Sequence, residues 1–534
     1  MEYLEIALAL LCAVAALGAL SKRVAIPLPI LQMAGGVAIS FVPGFADIRI
    51  DPPLFFALFI PPLLFSEGWR IPKRDFFRVM RPVLLLALGL VALTILVVGY
   101  LVHVLIPGVP LAAAFALGAI ISPTDAVAVS AITRKLQIPD RITHVIKGES
   151  LINDASGLVA FKFAVAAVLT GAFSLQRAAL SFLVLSLGGA IVGLAVAWIV
   201  GGLRLWLLRR ESSEPIIQTT LSLLTPFAAY FAAEQLHVSG ILAVVVAGVY
   251  AGIHDTRNLA TETRLQTWEV WTMLLFAFNG LVFVLLGLQL RGVIAGLAGH
   301  SWRELAAYAA ILSATVIVLR IAWVFIGAYL PRWLFRKVRE REEPLHPADV
   351  FIVGWSGIRG SITLAAALSL PFLAAAGQFF PERNLLIYLA GSVIVITLLV
   401  HGLTLPLLIR WFKIVGDGIA EREENMARIA VAEAAIRQIR QHAIAPHEHV
   451  FAARLIASYE RKIQHLAAAK KDRGDFETRV NAESSLCFDA LSAEREELFR
   501  LQQNQSINEE VLRTIQREID YAESSLLGSI EGRP

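Results

Sequence analysis

Glu149, Ser150, Asn153 and Asp154 stand together in Gly148-Glu149-Ser150-Leu151-Ile152-Asn153-Asp154, at the head of an apolar run that reaches about Thr170 and is long enough to cross a bilayer. At about 100° per residue, these four and Gly157 fall within an arc of about 140°, leaving Leu151, Ile152, Leu158 and Val159 for the opposite surface. An ionisable group at mid-bilayer costs about 2.5–3.5 kcal/mol even on lenient scales, so the polar arc faces protein or water. Its default use is binding protons or cations; a structural ion pair is the alternative.

The preceding apolar stretch holds Ile121-Ser122-Pro123-Thr124-Asp125-Ala126. Proline inside a membrane helix removes one amide donor and frees the carbonyl of Ala119, while Thr124 and Asp125 add oxygens. Such a break suits a small hard cation. A proline kink with Asp125 capping the following half-helix is the plainer alternative, and the neighbouring carboxylate helix favours the first. Seven apolar segments later comes Gly354-Trp355-Ser356-Gly357-Ile358-Arg359-Gly360-Ser361, whose glycines permit close packing and local unwinding. Seven is odd, so the two stretches run in opposite directions, as an inverted repeat with two interrupted helices crossing at mid-membrane requires. No convincing sequence identity links the halves. Arg359 needs a carboxylate or a half-helix C-terminus nearby; the other intramembrane arginine, Arg320, lies toward one end of its segment, and Glu149 is the acid most in need of a structural partner.

The elements that must position these residues follow from composition. The chain is 57% hydrophobic and 17% charged over 534 residues, with mean hydropathy +0.67, which makes it a polytopic membrane protein. Thirteen apolar segments lie near 3–20, 24–42, 53–69, 82–106, 110–132, 147–171, 179–203, 215–233, 239–254, 269–290, 304–330, 349–373 and 384–412. The first follows an acidic Met1-Glu2-Tyr3-Leu4-Glu5 rather than the basic start of a signal peptide, so it is expected to stay in the mature protein. Alternate loops carry 21 basic residues against 5. The richer set runs from Lys22 and Arg23 through Arg70, Arg134, Lys135, Arg204 and Arg257 to Lys337, Arg339 and Arg341; the poorer set includes Arg49 and Arg177. That bias puts the N-terminus outside and the C-terminus in the cytoplasm. Residues 413–534 read as a separate cytosolic helical tail, with residues 414–534 carrying 16 Lys/Arg against 21 Asp/Glu, net −5, and leaving +9 on the rest. The basic excess belongs to membrane loops rather than to nucleic-acid binding. Cys12 and Cys487 support neither a disulfide framework nor a thiolate metal site, and no cofactor is expected.

Ser122-Pro123-Thr124-Asp125, Gly148 to Asp154 and Gly357-Ile358-Arg359-Gly360 resemble the motifs of bacterial cation:proton antiporters of the sodium/proton exchanger family, the NhaP-type branch. The resemblance covers roughly residues 1–412, and the Asn153-Asp154 pair is its most specific element. It implies a thirteen-helix antiporter fold in the bacterial plasma membrane, with a dimerisation domain and a core domain that moves against it, and hence a homodimer. Carried onto matching positions, Asp154 would carry the ion and proton, with Ser150, Thr124 and Asp125 as further ligands. Asn153, Glu67 and Arg359 would be supporting polar groups, and Glu149 with Arg320 a structural salt bridge. Glu67 lies near the cytoplasmic end of its segment, where it could also be an interfacial acid beside Arg70.

The expected activity is exchange of Na⁺, Li⁺ or K⁺ for H⁺ by competition at Asp154, serving pH and Na⁺ homeostasis, with a K⁺/H⁺ antiporter as the near alternative. One titratable group at the Asn153-Asp154 position implies electroneutral one-for-one exchange. Lys162 is expected to snorkel toward the outer interface, and Asn279 and His401 to be helix-contact residues. Gly354-Trp355-Ser356-Gly357 with His401 admits an intramembrane serine protease, but that would leave Asp125, Glu149 and Asp154 without a role. A cation channel gains nothing from a titratable carboxylate beside a broken helix.

Overall fold

The computed structural model describes residues 2–531 apart from 25–26, 43, 46–50, 134–135, 137, 171–174, 211–213, 298, 335, 337–345, 375–378, 415, 417, 443–445, 468–472, 505 and 507–508. Of the loop residues counted above, Arg49, Arg134, Lys135, Lys337, Arg339 and Arg341, and the side chains of Arg177 and Arg257, lie outside the described residues. The chain forms two compact units, Met1–Val415 and Gly416–Pro534.

The first unit opens with α1 (Glu2–Ser21), α2 (Leu28–Ile39), α3 (Pro52–Arg70), a short α4 (Lys73–Arg78) and α5 (Met80–Leu105), which contains a π turn at Leu85–Leu90. A broken helix follows, α6 (Leu111–Ile121) and α7 (Ala126–Thr133), and then α8 (Asp140–Thr170), which carries Glu149 to Asp154. Next come α9 (Leu175–Arg209), α10 (Pro215–Gln235), α11 (Gly240–Asn258), α12 (Thr261–Ala295) and α13 (Trp302–Leu334). A second broken helix, α14 (Pro347–Trp355) and α15 (Ser361–Leu368), leads to α16 (Arg383–Trp411). Among the described residues, eight helices are long and apolar enough to cross a membrane, and three shorter ones are apolar. Each of the thirteen expected segments is occupied by a helix or by a broken pair.

Packing sorts these helices into two sets. One contains α1, α2, α3, α9, α10, α11 and α12; the other contains α5, both broken helices, α8, α13 and α16. Each half of the chain supplies three segments to the first set and then three to the second, with α9 between the halves. The repeat is visible in two glycine crossings. A Cβ at Gly36 of α2 would strike the carbonyl of Val284 on α12, and one at Gly287 would strike that of Met33. In the other crossing, Gly68 of α3 meets the carbonyl of Val245 on α11, and Gly248 meets that of Phe65. Mapping α2 onto α11 and α3 onto α12 turns one crossing into the other. Without Cβ atoms the backbones approach closely, which is how membrane helices associate when no hydrophobic drive separates them from lipid.

Arg204, counted in a cytoplasmic loop by sequence, is buried at the end of α9. Its Nη1 donates to Asp255 Oδ1 at 2.7 Å and its Nε to Gln218 Oε1 at 3.0 Å, while Trp69 Nε1 donates to Asp255 Oδ2 at 3.2 Å. A helical continuation past Val200 brings the arginine in reach of these partners, and a buried charge needs them.

The second unit holds α17 (Ile419–His442), α18 (Pro446–Ala467), α19 (Arg473–Gln503) and α20 (Glu509–Glu531), packed as two helix pairs. Leu491, Leu498, Leu512 and Ile519 join α19 to α20. Arg495 donates to Asp520 at 2.8 Å and to Glu523 at 2.5 Å, and both carboxylates raise its pKa.

Candidate functional site

The two chain breaks meet. Asp125 donates its amide to the carbonyl of Ile358 at 2.8 Å, and Arg359 Nε donates to the carbonyl of Ile121 at 2.6 Å. Gly360 sits so close to the Asp125 carboxylate that a Cβ there would collide with it. Arg359 is 1% exposed and also donates from Nη1 to Gly357 O at 2.7 Å. Its charge therefore rests on the C-terminus of the α6 half-helix, where the dipole favours a cation, rather than on a carboxylate.

Several backbone carbonyls at the first break receive side-chain donors. The carbonyl of Ala119, freed by Pro123, accepts the Ser122 hydroxyl at 3.0 Å; the carbonyl of Pro123 accepts Thr363 Oγ1 at 3.4 Å, and that of Thr124 accepts Ser150 Oγ at 2.8 Å. The carbonyls of the break thus each carry one side-chain donor, a hydroxyl or the Arg359 guanidinium, which leaves each a second lone pair. Ser150 also accepts the Ala126 amide at 3.4 Å, and Asp125 Oδ1 caps α7 by accepting the Ala128 amide at 2.9 Å. Both residues are engaged in holding the break, as the plainer sequence alternative has it for Asp125.

Behind the break runs a chain of polar contacts. Arg320 Nη2 donates to Glu149 Oε2 at 2.9 Å, Nη1 makes a second contact with Oε1, and Nη2 also reaches Val353 O at 3.1 Å. Glu149 Oε1 accepts Thr124 Oγ1 at 3.4 Å, and Thr124 Oγ1 accepts Asn153 Nδ2 at 2.7 Å. Glu149 and Arg320 are 0% and 1% exposed, so this bidentate pair compensates two charges that neither helix could bury alone.

Three buried oxygens in this region have no partner among the described residues: Asp154 Oδ1, Asn153 Oδ1 and Glu67 Oε2. Glu67 on α3 and Asp154 on α8 lie within hydrogen-bonding reach of each other. Glu67 is not an interfacial partner of Arg70, whose Nη2 goes to Thr272 Oγ1 at 3.0 Å and whose guanidinium covers Trp268 at 4.7 Å. Buried polar atoms are nearly always satisfied, so one open oxygen on each carboxyl of this pair and one on the Asn153 amide are the groups here that could take up a cation or a proton.

A family described as the transmembrane sodium/hydrogen exchanger matches residues 6–411. The chain belongs to that family. An E. coli uncharacterised Na⁺/H⁺ exchanger is 37% identical, with 94% of each chain covered. Two Bacillus proteins are named as sodium, potassium, lithium and rubidium/H⁺ antiporters. That of B. subtilis is 36% identical over 93% of this chain and 74% of its own, and that of B. pumilus is 42% identical over 76% of this chain. The chain spans 61% of the B. pumilus protein. The sodium proton antiporter MjNhaP1 of Methanocaldococcus jannaschii has the same fold, with TM-score 0.59, 17% identity, and coverage of 76% of this chain and 98% of that one.

Among the features that sequence missed is the π turn in α5. Its Leu85 carbonyl takes Trp323 Nε1 at 2.9 Å and its Ala87 carbonyl takes Ser156 Oγ at 2.7 Å, joining α5 to α13 and α8 next to the site. The uniformly apolar Leu84-Leu85-Leu86-Ala87-Leu88 carries no signal for it. Lys162 does not simply snorkel: it pairs with Glu234 Oε1 at 2.5 Å. The protease alternative loses its geometry, since Ser356 Oγ donates to Ile352 O at 2.7 Å and neither His401 nitrogen has a partner among the described residues.

Proposed function

We propose that the chain exchanges a monovalent cation, Na⁺ first, for H⁺ across the bacterial plasma membrane, with Asp154 as the carrier of both. The observation that carries this is the set of unpartnered buried oxygens of Asp154, Asn153 and Glu67 beside the crossed chain breaks. Glu67 is the second carboxyl of the site rather than a distant support. Ser150, Thr124 and Asp125 hold the break in place, Thr124 retaining a lone pair that can face the ion. Arg359 caps α6, and Glu149 with Arg320 pins α8 to α13.

Two carboxyl groups in contact do not both ionise readily, so the empty pair holds one proton between them. A bound cation replaces that proton. The site then carries one net negative charge in either loaded state, and one-for-one exchange moves no charge. The two helix sets slide against each other to expose the loaded site alternately, the set with α1, α2 and α3 serving as the homodimer contact. With an odd number of crossings the termini lie on opposite faces, and the basic bias of alternate loops supports the N-terminus outside and the helical tail in the cytoplasm. The names of the Bacillus relatives include potassium and lithium, so K⁺ and Li⁺ belong among the cations to be tested.

Proteoliposomes containing a pH-sensitive dye test this directly. Pulses of Na⁺, Li⁺ and K⁺ in turn are expected to change luminal pH with the parent protein and to leave it unchanged with Asp154→Asn. A folded parent protein that gives no pH response to any of the three cations overturns the proposal.

A further inference from the structure

Lys162 lies two turns beyond Asp154 on α8, about 12 Å along the helix. All of its described partners belong to the other helix set. The ammonium is 2.5 Å from Glu234 Oε1 on α10 and lies 5.4 Å from the ring centres of both Phe56 on α3 and Tyr230 on α10. Above it a cavity of about 380 Å³, lined by Pro53, Phe56, Lys162, Val165, Tyr230 and Pro371, separates α8 from α3 and α10. Below it, toward Asp154 and Glu67, Leu158 of α8 and Phe59, Ile60 and Leu63 of α3 are 1%, 5%, 0% and 4% exposed. Lys162 thus lines the cavity, and buried apolar side chains of α8 and α3 lie along the two helices between its level and that of the ion site.

We infer that Lys162 and Glu234 form a latch between the two helix sets that shuts the path from this cavity to Asp154. The inference rests on the alternating exposure proposed above: for Asp154 to open toward the cavity, α8 must part from α3 and α10, which pulls the ammonium from Glu234 and from both rings at once. The pair is 37% and 38% exposed, so it is weak enough to open during a cycle yet biases the closed arrangement. Phe56 and Tyr230 add cation–π attraction that Glu234 alone would not supply.

Thiol labelling reads the latch without needing transport. In full-length protein with Cys12→Ser and Cys487→Ser, Val165→Cys reports the cavity, and Leu158→Cys, or Phe59→Cys should the first not fold, reports the layer beneath the latch. A membrane-impermeant thiol reagent is applied from whichever face labels Val165→Cys. Lys162→Met and Glu234→Gln should each speed labelling of the lower cysteine about fivefold, the population shift that a partly exposed ion pair can impose. The exchanged pair, Lys162→Glu with Glu234→Lys, should return the rate toward the parental one. Equal labelling in the parent and the neutral variants, or an exchanged pair as fast as the single variants, overturns the latch. A parent that fails to exchange cations for protons while the labelling behaves as expected would instead overturn the antiport proposal alone.

Discussion

At the residue scale the site separates groups that hold from groups that are left open. Among the described residues Asp154 has an oxygen with no partner, whereas Ser150, Asp125 and Arg359 each bond across or beside the breaks. Asp154→Asn keeps shape and removes charge, so it is expected to fold, to melt near the parental temperature and to lose exchange entirely. Glu67→Gln should leave the fold intact but raise the cation concentration for half-maximal exchange by about tenfold or more, because a charged ligand is replaced by a neutral one. An unchanged concentration dependence would return Glu67 to a bystander role. Glu149 is a different kind of acid: its carboxylate answers Arg320 inside the protein. Glu149→Gln leaves that guanidinium uncompensated and should cost about 3–5 kcal/mol, seen as a lower melting temperature in detergent. A variant as stable as the parent would show that the pair does not hold α8 to α13.

At the element scale the two broken helices act as one unit. Proline 123 ends α6 by removing a donor, but what keeps the break from collapsing is its neighbour: Ile358 O receives the Asp125 amide, and Arg359 returns a bond to Ile121 O. The crossing needs glycine at 360, because a Cβ there meets the Asp125 carboxylate. Gly360→Ala is expected to destabilise the protein by about 1–3 kcal/mol and to slow exchange by displacing the cap of α7. Gly402 on α16 is the matched comparison, since its Cβ would meet only Ile132 Cδ1 at 3.7 Å. Gly402→Ala should therefore exchange at the parental rate, and equal losses in the two variants would mean that the contact at Gly360 is not special.

At the scale of the whole molecule, transport depends on what the loaded site carries through the membrane field. A potential acts with about 2.3 kcal/mol per elementary charge per 100 mV, so an exchanger that moves net charge responds steeply and one that moves none hardly responds. With Glu67 and Asp154 sharing one proton or one cation, initial rates of Na⁺/H⁺ exchange in proteoliposomes should be nearly the same whether K⁺ and valinomycin clamp the membrane positive or negative. A several-fold change on reversing the potential would show that both carboxyl protons leave for one cation.

The sequence by itself determined the membrane class, the helical tail, the family and the positions of both chain breaks, because these rest on local quantities: apolar run length, missing amides at proline, and carboxylates at helical spacing. It also named Glu149 and Arg320 as charges in need of partners, since burial cost is a property of each residue alone. The resemblance already pairs the two with each other, whereas the partners of other polar groups were decided only by the tertiary structure. Nothing in Phe65-Ser66-Glu67-Gly68 tells that α3 lays Glu67 against Asp154, and nothing around Lys162 tells that Glu234, 72 residues on, meets it. The carbonyl of Ala119 is freed by the proline, as the sequence indicates, and the structure shows that Ser122, one residue before Pro123, turns back to donate to it. The repeat, silent in residue identity, is written in backbone approach at Gly36, Gly287, Gly68 and Gly248. Pairings of this kind depend on which helices lie side by side, and that is set by packing across the whole bundle rather than by any stretch of chain.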